Sequence, residues 1–275
     1  MTQALQPLYD PREAAAVAKY YHEHLTSWEQ WSLPLHYGDA LTEAQHRQRQ
    51  QDLLQMTQGC PLQYVMGRAD FYGRRFQVTP DVLIPRPETE ELVLMAIREL
   101  SGREEPKVWD VGTGSGCIAV TIAAELPRAQ VFATDISEKA LTIAKENAAR
   151  HHVTVTFAQH DMRDNSALPF PDQRFDLIIS NPPYIPESDR REMHRNVVEH
   201  EPGIALFVPD EDPLWCYRAL AALAFKTLKP NGVLMVETYH QYHDKLMQQW
   251  KENGLLDIKT HNDIHSRPRF VTGRV

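Results

Sequence analysis

From Val108 onward, short apolar runs alternate with helical stretches, and the first run leads straight into a glycine-rich turn. Val108-Trp109-Asp110-Val111 reads as a buried strand, Gly112-Thr113-Gly114-Ser115-Gly116 as the turn, and residues 117–126, rich in Ala and Ile, as a helix. Strand, helix and strand in succession imply parallel neighbours joined by helical crossovers, so the expected architecture is an open α/β sheet with helices on both faces. Ligands of such sheets bind at the carboxyl edge of the strands. Every chemistry-bearing residue considered below is therefore judged by whether it falls at that edge.

The glycine turn is the first of them. Glycines there let the backbone come close to a ligand and aim the N–H groups of a helix N-terminus at it. The spacing Asp-x-Gly-x-Gly-x-Gly puts glycines at alternate positions, unlike the Gly-x-Gly-x-x-Gly dinucleotide fingerprint. A second strand over 130–134 ends at Asp135, placed to accept hydrogen bonds from ribose hydroxyls. A third over 153–159 leads to Asp161 and Met162, from where such sheets reach an adenine, with Met162 as a soft apolar contact. Each has a plainer reading: a tight packing turn, a strand-end carboxylate ahead of the helix cap Ser137, and a loop.

A fourth run, Phe175-Asp176-Leu177-Ile178-Ile179-Ser180, stops at Asn181-Pro182-Pro183-Tyr184. The Asn181 carboxamide oxygen and the Pro182 carbonyl are two acceptors for the two hydrogens of one planar NH2 group. Holding both protons in this way draws the nitrogen lone pair out of conjugation and makes a poor nucleophile competent, while Tyr184 stacks on the planar group. The alternative is an ordinary strand-ending turn. Asp135 alone would equally suit NAD. The glycine spacing together with the Asn-Pro-Pro-Tyr turn, which hydride chemistry would not need, favours S-adenosylmethionine.

Composition bounds the partners. The chain of 275 residues has a formal charge of −8, and its pI is near 5.9. A domain that binds nucleic acid unaided carries a basic face. None is evident: Arg190, Arg191 and Arg195 are interleaved with Glu187, Asp189 and Glu192, a polar loop that reads as a contact for a protein partner or, equally, as a solvated loop. No membrane span or signal peptide is expected, and the three cysteines lack metal or redox spacing, so the expected location is the cytoplasm. The 13 histidines lack accompanying cysteines, and no metal site is expected.

Two units are expected. Asp10-Pro11-Arg12-Glu13 and Thr42-Glu43-Ala44-Gln45 are helix starts, the first opening a helix over 11–24 and the second a Gln-rich helix ending near Gly59. Trp28, Trp31, Leu33 and Leu35 are the expected core of a helical domain over 1–60. Residues 61–85 read as a β-hairpin linker, and 86–275 as the α/β domain, starting with a helix that carries Leu92, Val93, Ala96 and Leu100 on one face. Later come a helix over 213–228, the turn Lys229-Pro230-Asn231-Gly232, a strand over 233–238 and a helix over 242–253. The runs 256–260 and 270–275 have no helix between them and are expected to be antiparallel.

With these pieces in view, the sequence resembles the HemK/PrmC family of peptide-chain release factor glutamine methyltransferases over nearly its full length. The matching segments are Gln63-Tyr64-x-x-Gly67, Phe71-x-Gly73-x-x-Phe76-x-Val78, Val82-Leu83-Ile84-Pro85-Arg86-Pro87-Glu88-Thr89-Glu90, the two turns, and Glu201-Pro202-x-x-Ala205-Leu206. Ile-Pro-Arg-Pro-Glu-Thr-Glu is the most specific of these. Near the C-terminus, Asp263 and Arg269 are present but His265 or Ser266 stands where the family has glycine, and residues 207–212 replace a glycine-rich stretch.

The resemblance implies a Rossmann-like class I methyltransferase sheet of seven strands with a small N-terminal helical domain that docks the substrate. Its implied substrate is the glutamine of the Gly-Gly-Gln loop in class I release factors. Gly112, Thr113, Gly114, Ser115 and Gly116 would wrap the methionine end of S-adenosylmethionine, Asp135 the ribose, and Met162 the adenine. Asn181 would touch cofactor and substrate, Asn181, Pro182, Pro183 and Tyr184 would clasp the glutamine, and Asn181, Pro182 and Tyr184 would form the catalytic set. Arg86 and Glu88 would stand near the pocket rim. Transfer would be direct and in line, without a general base, by a monomer. A nucleic-acid methyltransferase acting on an exocyclic amine of adenine or guanine is the alternative enzyme, and a non-catalytic S-adenosylmethionine-binding adaptor the alternative class.

Overall fold

A computed structural model describes residues 1–28, 31–36 and 38–275, with the side chains of Leu33 and Pro34 left undescribed. The chain opens with four helices, α1 (Thr2–Leu5), α2 (Pro11–Thr26), α3 (Glu43–Thr57) and α4 (Leu62–Met66). A hairpin of β1 (Arg68–Phe71) and β2 (Arg74–Gln77) precedes α5 (Pro87–Leu100). Then come β3 (Lys107–Val111), α6 (Cys117–Glu125), β4 (Gln130–Asp135), α7 (Glu138–Arg150), β5 (Val155–Gln159) and β6 (Phe175–Ser180). The chain ends with β7 (Ile185–Pro186), α8 (Arg195–His200), β8 (Phe207–Val208), α9 (Trp215–Thr227), β9 (Leu228–Glu237), α10 (His243–Glu252), β10 (Leu256–Asn262) and β11 (Pro268–Arg274).

Two compact units result: residues 1–68 with 193–200, and residues 69–192 with 201–275. In the first, local chemistry starts the helices. The Asp10 carboxylate accepts the N–H groups of Arg12 and Glu13 at 2.8 and 3.0 Å, and Thr42 and Gln45 cap α3 reciprocally. Its core differs from expectation. Leu5, Ala14, Tyr21, Met56, Leu62 and Met66 fill it, with the Tyr21 hydroxyl donating to buried Asp52 at 2.7 Å. Trp31 and Leu35 are 73% and 75% exposed, Trp28 is half-buried and stacks on His36, and the Leu33 side chain lies outside the described residues. The reason is geometric: buried side chains from α1, α2, α3 and α4 already close on one another, so Trp31 and Leu35 remain on the surface. The segment read as a linker begins with the helical turn α4, and α8 joins this unit from far along the chain, where Asn196 donates to the Tyr9 hydroxyl at 3.1 Å.

The second unit is built on a seven-stranded sheet in the order β10-β11-β9-β6-β3-β4-β5. Neighbours are parallel except at β11, which runs against both β9 and β10. Central β6 is buried at every position, which is why it reads as a continuous apolar run. The chain moves outward from β3 through β4 to β5, then returns to place β6 on the other side of β3. That reversal opens a crevice at the carboxyl ends of β3 and β6. The turn at Lys229-Pro230-Asn231-Gly232 lies inside β9 as a bulge, since Phe175 faces Leu228 and Leu177 faces Val233, with Asn231 at φ +64°. Ser266 takes φ +61° in the turn between β10 and β11, a left-handed backbone without the residue that adopts it freely.

Candidate active site

A cavity of about 400 Å³ lies at this carboxyl edge, lined by residues of the second unit. Gly112, Thr113, Gly114 and Ser115 of the glycine turn line it, as do Asp135, Met162, Asn181, Pro182 and Pro183. Gly116 and Tyr184 are not among its lining residues, and neither is Glu88, whereas Arg86 is.

The turn after β3 is stitched to the end of β4. The N–H groups of Gly112 and Thr113 both donate to the Thr134 carbonyl, at 2.8 and 2.9 Å. Gly114 N–H donates to Asp135 Oδ2 at 2.8 Å, and Ser137 N–H to Oδ1 at 2.9 Å. Burial pushes the Asp135 carboxyl above its ordinary range, against the pull of these two donors. Below the turn, Asp110 is fully buried, and its Oδ2 accepts the Thr113 hydroxyl at 2.6 Å. Its Oδ1 has no hydrogen-bond partner among the described residues. Burial raises this carboxyl to about 7, with the Thr113 hydroxyl opposing the shift.

Two glycines of the turn serve different ends. At Gly112, φ +78°, a Cβ would point toward Met162 Cε at 3.8 Å, so its absence keeps the cavity wall open. At Gly116, φ +82°, a Cβ would meet Ala144 Cβ and Cα at 3.1 and 3.2 Å, so its absence lets α6 start close against α7. Gly116→Ala is therefore expected to destabilise the fold by about 2 kcal/mol through backbone strain and overpacking. A shift in the urea midpoint checks this.

At the end of β6, Asn181 Nδ2 donates to Thr89 Oγ1 at 3.0 Å. The Thr89 hydroxyl in turn donates to Glu237 Oε2 at 2.7 Å, and the Tyr184 hydroxyl to Glu237 Oε1 at 3.1 Å. Burial, then the Glu237 charge, raises the Tyr184 phenol well above its ordinary value, so it stays protonated. Its ring lies parallel to Tyr239, 6.1 Å between centroids, and the Tyr239 hydroxyl donates to Asp189 at 2.9 Å. Asp161 is engaged by the guanidinium of Arg163 at 2.6 Å.

The Ile-Pro-Arg-Pro-Glu-Thr-Glu segment owes its density of specific residues to such contacts. Arg86 pairs with Glu201 at 2.6 Å, and Glu201, its side chain 1% exposed, also accepts the Ile84 N–H at 3.2 Å. Glu90 accepts the Tyr72 N–H at 2.8 Å. Thr89, Asp110, Glu201 and Glu237 were not read as site residues from the sequence. One signal was available for Glu237: a carboxylate closing the apolar run Val233-Leu234-Met235-Val236 at a strand's carboxyl end.

With Nδ2 committed to Thr89, the Asn181 Oδ1 is the end left to accept a hydrogen bond from a group in the cavity. Such a site suits a planar NH2 group. Comparisons with known proteins bear on the family. Residues 1–67 match a profile described as the PrmC N-terminal domain, and residues 103–265 one described as a methyltransferase domain. The release factor glutamine methyltransferase of Bacteroides thetaiotaomicron is 37% identical over 270 residues, covering 98% of this chain and 96% of that one. Its namesake from Flavobacterium psychrophilum is 37% identical over 272 residues, covering 98% and 94%. Among solved structures, the hMettl16 catalytic domain superposes with a TM-score of 0.58 at 14% identity over 81% of each chain, a likeness in fold alone. Because the likeness to the two relatives runs through nearly the whole of each chain and not the sheet only, the chain belongs to the release factor glutamine methyltransferase family.

Proposed function

We propose that the protein transfers a methyl group from S-adenosylmethionine to the side-chain amide nitrogen of the glutamine in the Gly-Gly-Gln loop of class I release factors. The observation that carries this reading is the Asn181 carboxamide, held by Thr89 at the cavity wall with its oxygen free to accept, one strand away from the glycine turn.

The residues present fit the cofactor. Gly112 leaves the wall open, Asp135 keeps lone pairs for a ribose diol beyond those used by Gly114 and Ser137, and Met162 offers a polarisable face to an adenine. Asp110 supplies a buried acceptor without a partner among the described residues behind the turn. S-adenosylmethionine, when bound, supplies a methyl group on a sulfonium leaving group. Gly112, Thr113, Gly114 and Ser115 then wrap its methionine end, with Gly116 setting the helix behind them.

Asn181 Oδ1 and the Pro182 carbonyl accept the two amide hydrogens of the glutamine and localise the nitrogen lone pair, while Pro183 and Tyr184 shape the clasp. No group in the quartet acts as a base, and the surplus proton leaves to water after transfer. The rate advantage is then mainly one of position, which can supply several kcal/mol. The N-terminal helical unit docks the release factor, and the protein works as a cytoplasmic monomer without stable nucleic-acid binding, in keeping with its charge of −8.

The test is incubation with labelled S-adenosylmethionine and either a purified class I release factor or stripped RNA and DNA, with the label located by mass spectrometry. Methylation of the Gly-Gly-Gln glutamine is expected. Label on nucleic acid alone would overturn the reading.

A further inference from the structure

The Asn181 carboxamide sits at the end of a chain of hydrogen bonds whose direction is dictated from the other end. Glu237 closes β9, and the pairing of Ser180 with Val236 brings it level with Asn181 on the neighbouring strand. Its carboxylate is 1% exposed and accepts the hydroxyls of Thr89 at 2.7 Å and Tyr184 at 3.1 Å. Burial raises this carboxyl above its ordinary value and Glu88 adds to the rise, while the Thr89 hydroxyl, Arg269 and the Tyr184 hydroxyl oppose it. Each of its two oxygens accepts one hydroxyl, so the single hydroxyl proton of Thr89 is directed to Glu237. Thr89 Oγ1 can then only accept from Asn181, which it does at 3.0 Å.

We propose that Thr89 and Glu237 are positioning residues for the methyl transfer: together they hold the Asn181 carboxamide with Nδ2 on Thr89 and Oδ1 turned to accept the substrate amide N–H. This rests on the function proposed above. The polarity matters because the two ends of a carboxamide are nearly the same size. Turned over, Asn181 would present two N–H donors to a substrate NH2 group, and donor would face donor. Glu237 also holds the Tyr184 hydroxyl, so one buried carboxylate orders both ends of the Asn-Pro-Pro-Tyr quartet.

Three variants separate positioning from general structure. Thr89→Val keeps the shape and removes the acceptor, Thr89→Ser restores it, and Glu237→Gln can offer an N–H to Thr89 and so release the direction of the chain. Methyl transfer to a class I release factor is expected to fall about 10- to 100-fold in kcat for Thr89→Val and Glu237→Gln, while KM for the release factor and the S-adenosylmethionine Kd stay within about threefold. Thr89→Ser is expected within about threefold of wild type.

The second readout needs no turnover: the Asn181 side-chain NH2 resonances in 1H–15N spectra, identified by their loss in Asn181→Ala, shift in Thr89→Val and return in Thr89→Ser. A failure of wild type to methylate the release factor would remove the functional reading while leaving these resonances to report on the anchor. Wild-type turnover by Thr89→Val, a Thr89→Ser loss as large as that of Thr89→Val, or Asn181 resonances indifferent to Thr89 would each overturn the proposal.

Discussion

Asn181→Ala is expected to lower methyl transfer by on the order of 10²–10³-fold while leaving cofactor affinity within about threefold of wild type. An amide nitrogen is a poor nucleophile because its lone pair is delocalised into the carbonyl. Acceptors on both hydrogens favour the localised form, and they do so most strongly as the new N–C bond forms, so their loss falls on kcat. The alanine variant removes one acceptor, the anchor to Thr89 and the fixed position of the reacting nitrogen together. Nothing comparable happens to the glycine turn, whose own bonds run to Thr134 and Asp135. Single-turnover rates with saturating cofactor, beside equilibrium binding of S-adenosylhomocysteine, check both halves. A variant that turns over within tenfold of wild type would mean that the amide is held elsewhere.

The sheet and the turns at its edge were legible because their signals are local. A buried parallel strand is a short apolar run, a glycine turn has its own spacing, and two prolines end a ladder wherever they fall. Helix starts at Asp10 and Thr42 were legible for the same reason, since a cap is a contact between residues two or three apart. What the sequence did not disclose depends on long-range closure. Thr89 and Glu237 are 148 positions apart, and Arg86 and Glu201 are 115 apart, so neither pair has a spacing to read. The Trp-rich segment misled for a related reason: large apolar residues mark a core only when an element turns them inward, and α2, α3 and α4 close without Trp31 and Leu35. Within the glycine turn, spacing alone could not tell Gly112, at the cavity wall, from Gly116, pressed on Ala144.

The stability advantage of wild type over Asp110→Asn should shrink as pH rises. Burial lifts the Asp110 carboxyl from 3.8 to about 7 in the folded protein, against the pull of the Thr113 hydroxyl. Below the unfolded value both states are protonated and the contribution to stability is fully present. Between the two values the unfolded chain ionises while the folded one does not, and about 1.4 kcal/mol is lost per pH unit; above the folded value the loss is complete. Between pH 5 and 8 the difference should therefore move by roughly 2–3 kcal/mol in favour of the variant. Asparagine keeps the shape, and its oxygen can still accept the Thr113 hydroxyl, while its NH2 takes the place of the unpartnered Oδ1. The penalty for that NH2 is the same at every pH and drops out of the slope. His243, which burial lowers to about 4, is present in both proteins and drops out as well. Urea unfolding of the pair at four pH values and constant ionic strength gives the slope directly. A difference that stays flat from pH 5 to 8 would mean that Asp110 folds with its charge already compensated.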